Sequence, residues 1–159
     1  MTDNYIQVHE DYILRVGIKD ANGNDTGNVL TFNLMDVELL LKLQEANKQH
    51  DKNYNYYQNQ LTIINKKEDH RGKFLLSSNE EAKIKAQLDF FEKEEKALDL
   101  FLGKGGTKKV LNGRAFNEYT FNLILNEIKP IITLLKNKQD LIIKTIKEKY
   151  QPKNKEVLQ

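Results

Sequence analysis

Apolar and polar positions change their period along this chain, and the changes assign its elements. Tyr12-Ile13-Leu14-Arg15-Val16-Gly17-Ile18-Lys19 alternates, which puts Leu14, Val16 and Ile18 on one face of a strand. Turn residues crowd the stretch from Asp20 to Gly27, and its Asn22-Gly23 pair favours a hairpin because both residues tolerate positive φ. Val29-Leu30-Thr31-Phe32-Asn33-Leu34 reads as the return strand, with Leu30, Phe32 and Leu34 sharing a face. Two strands alone are marginally stable, so this hairpin, spanning residues 12–34, must pack on helices or pair with another chain.

The period then lengthens to that of helices. A first helix is predicted over about residues 34–66, with Asn33 as its cap and Asp36 placed where a carboxylate suits the amide-rich end. Within it, Leu40, Leu43, Asn47, His50, Tyr54, Tyr57, Leu61 and Ile64 recur at alternating spacings of three and four, a heptad seam with a polar and aromatic middle. Ser78-Asn79-Glu80-Glu81 is a capping-box sequence that opens a second helix, residues 78–102, with Ile84, Leu88, Phe91, Leu98 and Leu102 on its apolar face and Gly103 at its end. Asn117 caps a third helix, residues 117–150, which Pro130 must either kink or split. The expected architecture is α+β, mostly α: one domain over residues 1–150, an N-terminal β-hairpin packed on about three long helices. Residues 151–159 are polar and contain Pro152, which predicts a flexible tail.

Composition narrows the function classes. A chain of 159 residues suits one core and is short for two ordinary domains. Cys is absent, so no disulfide, thiolate metal site or cysteine nucleophile is available. The three histidines, His9, His50 and His70, lack the i, i+4 spacing of a helical zinc motif. No apolar run approaches the length of a spanning helix, and Met1-Thr2-Asp3-Asn4 does not open a secretory signal, so the expected location is the cytoplasm, away from membranes.

The net charge of +2 conceals an asymmetry: residues 103–159 carry twelve basic and five acidic side chains, and the rest of the chain is mildly acidic. A cationic third can mark a nucleic-acid contact, but a solvated helix face is the commoner origin of such runs. Lys outnumbers Arg by 22 to 3, which favours the second origin.

Candidate chemistry is sparse. Gly103-Lys104-Gly105-Gly106-Thr107-Lys108-Lys109 resembles a phosphate loop only superficially: the glycine spacing is wrong, Lys108 follows Thr107, and a helix leads in where a strand is required. It reads as a helix cap and flexible basic turn. Glu92, Glu94, Glu95 and Asp99, interleaved with Lys93 and Lys96, read as surface charge pairs. Tyr54, Tyr56 and Tyr57 among Lys48, Lys52, Asn53 and Asn55 suit base stacking or, more commonly, protein packing. Ser77 and Ser78 sit in a capping context without a partnered base. No residue is assigned to catalysis, to a cofactor or to a metal, and the expectation is a binding protein. The residues singled out for partner contact are Tyr54, Tyr57, Phe101, Lys108, Lys109 and Arg114. The seam and the lone hairpin predict self-association as a homo-oligomer.

The order of elements carries a resemblance. An acidic N-terminus with a hairpin runs through Val29-Leu30-Thr31-Phe32-Asn33-Leu34-Met35-Asp36-Val37-Glu38-Leu39 into a long polar helix. Later come Leu98-Asp99-Leu100-Phe101-Leu102-Gly103-Lys104-Gly105-Gly106-Thr107-Lys108-Lys109-Val110-Leu111-Asn112-Gly113-Arg114, Phe121, and a helix through Ile128-Lys129-Pro130-Ile131. This resembles the small tail assembly chaperones of long-tailed bacteriophages and prophages of Gram-positive bacteria. It departs from their pattern where Leu102 separates Phe101 from Gly103 and where Leu111-Asn112-Gly113 replaces Phe-Gly. The resemblance implies a non-enzymatic protein of the host cytoplasm that binds the tape measure protein, recruits tail tube subunits and is absent from the mature virion. Two alternatives stand beside it: a nucleic-acid-binding or regulatory phage protein using the basic segment 103–155, and a structural virion protein.

Overall fold

The computed structural model describes residues 12–149. His9 and the tail at 151–159 therefore lie outside the described residues. Strand β1 (Ile13–Lys19) pairs antiparallel with β2 (Asp25–Asn33), and four α-helices follow: α1 (Val37–Asn65), α2 (Ser78–Leu102), α3 (Gly106–Leu111) and α4 (Glu118–Lys149). This is the expected α+β, mostly α arrangement, with a short additional helix.

The hairpin turn is built by Asp20, whose carboxylate accepts hydrogen bonds from the amides of Asn22 and Asn24, both at 2.9 Å, while Gly23 adopts φ +82°. The return strand starts at Asp25, four residues before the predicted start. The extra length lies in an irregularity where Lys19 pairs with Asp25 but Gly17 pairs with Val29, and the Thr26 hydroxyl holds it by donating to the Ile18 carbonyl. Beyond it the register sets Leu14 opposite Phe32 and Val16 opposite Leu30, so both strands turn one apolar face to the core.

Asp36 caps α1, not Asn33: the Asp36 carboxylate accepts from the Glu38 amide at 2.9 Å, while the Asn33 side chain is used in a turn to the Met35 amide. The cap of α2 likewise falls one residue before the predicted one. Ser77 accepts from the Glu80 amide, which frees Ser78 to bond the chain coming from α1.

The two helices pack antiparallel. His50 meets Glu94, and further along α1 Tyr57 meets Phe90, earlier in α2. The α1 positions turned toward neighbours are Leu39, Leu40, Leu43, Ala46, His50, Asn53, Tyr57, Gln60, Leu61 and Ile64. Most of the predicted seam is retained; in its middle, Asn47 and Tyr54 are exposed and give way to Ala46 and Asn53. On α2 the inward positions are Ala82, Ala86, Phe90, Glu94, Ala97 and Phe101, so the predicted Ile84 and Leu88 face outward. Alanines on this face let the two backbones approach closely.

At the end of α2 the expected linker is structured. Gly103 and Gly105 take φ of +90° and +72°, and the chain turns at once into α3. A side chain at Gly106 would meet the Leu102 Cβ at 2.5 Å, so only glycine fits there. Helix α4 starts at a reciprocal cap, in which the Asn117 side chain accepts from the Thr120 amide and the Thr120 hydroxyl accepts from the Asn117 amide. It runs through Pro130 as one assigned helix; the proline lies on the exposed side, where water can satisfy the orphaned carbonyl. Its buried stripe is Thr120, Ile124, Ile128, Ile131, Leu135 and Gln139. The Gln139 side chain donates to the Leu34 carbonyl at 2.8 Å and ties α4 to the end of the hairpin.

Leu30, Phe32 and Leu34 of the hairpin region form one core with Leu39, Phe101, Leu102, Leu111, Ile124, Ile128, Ile131 and Leu135. No helix among the described residues is long and apolar enough to cross a membrane. Leu135 is 0% exposed at the centre of this cluster. Leu135→Ala is expected to cost about 2–5 kcal/mol, transfer and cavity terms together, read as a fall in the urea unfolding midpoint.

Candidate partner-binding surfaces

Four local structures are candidates for chemistry or binding. The first lies between α1 and α2. Glu94 is 1% exposed, and its two carboxylate oxygens are shared between His50 Nδ1 at 2.7 Å and Asn53 Nδ2 at 2.9 Å. Glu94 was expected among surface charge pairs and is instead an interhelical clamp. Aromatic rings surround the joint: Phe121 of α4 stacks on His50 at 5.8 Å, and Tyr57 stacks on Phe90 at 5.0 Å. The dyad joins helices, and among the described residues no group of three or more His, Cys, Asp or Glu could hold a metal ion.

The second is the glycine turn. Asp99 accepts from the amides of Gly105 at 3.2 Å and Thr107 at 2.9 Å, and from the Thr107 hydroxyl at 2.7 Å. The amides that a phosphate loop would present to its ligand are thus taken by the protein's own carboxylate. Asp99 also leaves the surface-pair assignment: its role is to latch α3 onto α2.

The third is a groove beneath the sheet, about 440 Å³, between the inner face of the hairpin, α3 and α4. Val16, Ile18, Leu30, Leu111, Leu123 and Ile128 are among its apolar walls. Lys19, Arg114 and Glu127 contribute charge.

The fourth is the α1–α2 connection. Phe74 and Leu75 are 82% and 89% exposed, side by side, at the far end of the helical pair. The loop bearing them is held firmly. The Ser78 amide donates to the His70 carbonyl at 2.8 Å, and the His70 amide donates to the Ser78 hydroxyl at 3.0 Å. Asp69 accepts from the Asn79 amide at 3.0 Å, the Asn79 side chain donates to the Lys67 carbonyl, and Arg71 pairs with Glu80.

The predicted contact residues scatter across these structures. Tyr54 is exposed and stacks loosely on His50; Tyr57 is half-buried against Phe90. Phe101 is 4% exposed, with its ring 5.3 Å from that of Phe32, which removes it from the surface and makes it a core residue. Lys108 is exposed and lies 3.7 Å from Glu95. Lys109 is exposed, and its carbonyl accepts from Asn28 of β2. Arg114 is exposed, with its Nε donating to the Leu111 carbonyl, and it lines the groove. Of the six, Arg114 joins the groove beneath the sheet. Phe74 and Leu75 were not singled out from sequence, although an apolar tripeptide between Gly72 and the Ser77 cap is the signal that could have found them.

Two predictions follow from these geometries. Glu94→Ala leaves His50 and Asn53 without their acceptor and is expected to lower stability by about 1–3 kcal/mol in urea unfolding. At the tip, the Asn79 amide is the main cause that holds the Asp69 carboxyl below its ordinary value of 3.8, with the Ser77 and Ser78 hydroxyls and the His70 amide adding to it against some desolvation. A lowered folded value means that Asp69 contributes stability above the ordinary carboxylate range and loses it as pH falls through the folded value. Asp69→Asn should therefore be less stable than wild type at neutral pH, and the difference should narrow as pH falls below the ordinary carboxylate range, compared by urea midpoints at neutral and acid pH.

Comparison with family models, with curated proteins and with solved structures finds no match to this chain.

Proposed function

We propose that this chain is a tail assembly chaperone, a non-enzymatic protein that covers the tape measure protein and recruits tail tube subunits. The reading comes from the resemblance of residues 12–150, and the observation that supports it is the apolar surface that the fold leaves uncovered. Besides the Phe74-Leu75 tip, the inward stripe of α4 outlasts the core. After Gln139 it continues through Ile142, Ile143 and Ile146, of which Ile143 and Ile146 are exposed, with Lys144 and Lys147 beside them. A tape measure is a long helical chain whose apolar stripes would aggregate if bare, and an amphipathic helix is a natural cover for such a stripe. The lysines suit a partner with acidic flanks. The open edge of a two-stranded sheet adds a place where a β-rich tube subunit can pair.

Co-expression with a candidate tape measure protein and a candidate tail tube protein is the direct test. The complex should co-purify, and mass spectrometry of finished particles should find the tape measure without this chain. Recovery of neither tape measure nor tube protein would sink the proposal. Ile143→Glu combined with Ile146→Glu should reduce recovery at least about tenfold, the loss expected when charges replace two apolar anchors.

A further inference from the structure

We infer that residues 1–11 bind back onto the C-terminal end of the chain's own α4, over Ile142, Ile143 and Ile146. The contact belongs to the isolated chain, so it holds or fails whether or not the tail assembly reading does.

The place where this segment joins the fold points to that surface. Tyr12 is the first described residue, and its carbonyl accepts from the Leu34 amide at 3.0 Å. The Leu34 carbonyl in turn accepts from Gln139 of α4, and Lys138 Nζ lies 4.7 Å from the centre of the Tyr12 ring. Residues 1–11 therefore enter beside Lys138 and Gln139, where the buried part of α4 ends. Direction agrees with position. Residues 16–19 of β1 share the groove beneath the sheet with α4 residues between Thr120 and Ile131, whereas Tyr12 lies at Lys138. Strand β1 thus runs along α4 in the opposite sense. Followed back past Tyr12, its line leads toward Lys149 and away from the groove.

Reach, pattern and charge also agree. From Gln139 to Lys149 α4 advances about 15 Å, at the rise of an α-helix. A segment of the length of residues 1–11 can span up to about 36 Å, more than twice that. In the sequence, Ile6 and Val8 alternate in phase with Leu14, Val16 and Ile18, the β1 residues packed against the core. They are the apolar side chains closest in sequence that could cover Ile143 and Ile146, both exposed. Residues 1–11 carry Asp3, Glu10 and Asp11 and no Lys or Arg. At about 100° per residue, Lys138, Lys147 and Lys149 flank the stripe, Asp140 is the acidic residue beside it, and Glu148 falls on the opposite side. The segment and the borders of the stripe are thus opposite in sign. A second copy's α4 laid on the same stripe would set lysines against lysines.

Disulfide trapping in the full chain provides the test, because the chain has no Cys of its own. Val8→Cys is paired with Ile143→Cys on the stripe or, in a second variant, with Leu141→Cys. Leu141 is also exposed and equally near the segment along the helix, but it lies on the other face. In a glutathione redox buffer the Ile143 pair should close within one chain at least about tenfold faster than the Leu141 pair, a ratio set by effective concentration at each face. Adding Glu10→Lys/Asp11→Lys should shrink that ratio. Amide hydrogen exchange supplies a measurement free of cysteine. Ile6→Ser/Val8→Ser should speed exchange at residues 142–149 at least about threefold and leave residues 120–131 unchanged, which also shows that the variant is folded.

Equal trapping at both faces overturns the inference, since a tethered but unbound segment would visit both. A disulfide that forms between chains assigns the stripe to a second copy and overturns it as well. So does exchange at residues 142–149 that the serine substitutions leave unchanged.

Discussion

The inner face of the hairpin has to be covered by helices, and the remaining structure is arranged to cover it. Two strands have no second sheet to pack on, so Leu30, Phe32 and Leu34 would face water unless helices converged on them. The end of α2 brings Phe101 and Leu102, α3 brings Leu111, and α4 lays Ile124, Ile128, Ile131 and Leu135 across the same surface. The devices at the chain's turns serve this convergence. Asp99 folds α3 back onto α2, and Gln139 anchors α4 to the carbonyl of Leu34. The α1–α2 pair extends away from this centre, and the middle of its seam is closed by aromatic rings and one buried carboxylate.

That carboxylate marks the boundary of what the sequence could show. Elements governed by local rules were legible: the Asn22-Gly23 turn, the alternating faces of both strands, and the spans of the three long helices to within a few residues. The phase of the α1 seam was not. In the middle of that seam, positions 47 and 54 keep heptad spacing as well as positions 46 and 53 do, and Tyr54 is the more apolar choice over Asn53. The decision lies with Glu94, a residue 41 positions away from Asn53, whose buried oxygens require donors from α1. Glu94 itself looked like a surface residue because Lys93 adjoins it, yet Lys93 turns instead to Asp89 and to the ring of Tyr56.

The candidate surfaces were less legible still, because exposure is a tertiary property. Phe101 carries the same apolar character as Phe74, and nothing local says that one meets Phe32 while the other meets solvent. Lys108, Lys109 and Arg114 are exposed, but the groove that Arg114 borders exists only once α4 has crossed the sheet.

The pinning of the α1–α2 connection has a consequence for rates and affinity as well as shape. A loop that gained its order only on meeting a partner would lose backbone freedom at that moment, and the loss would be subtracted from the affinity. Here Asp69, Asn79, Ser78 and the Arg71–Glu80 pair have already fixed the chain on both sides of Phe74 and Leu75. The entropy of those flanks is surrendered during folding, before any encounter. An apolar pair displayed in that way can make a small contact useful while keeping it easily reversible.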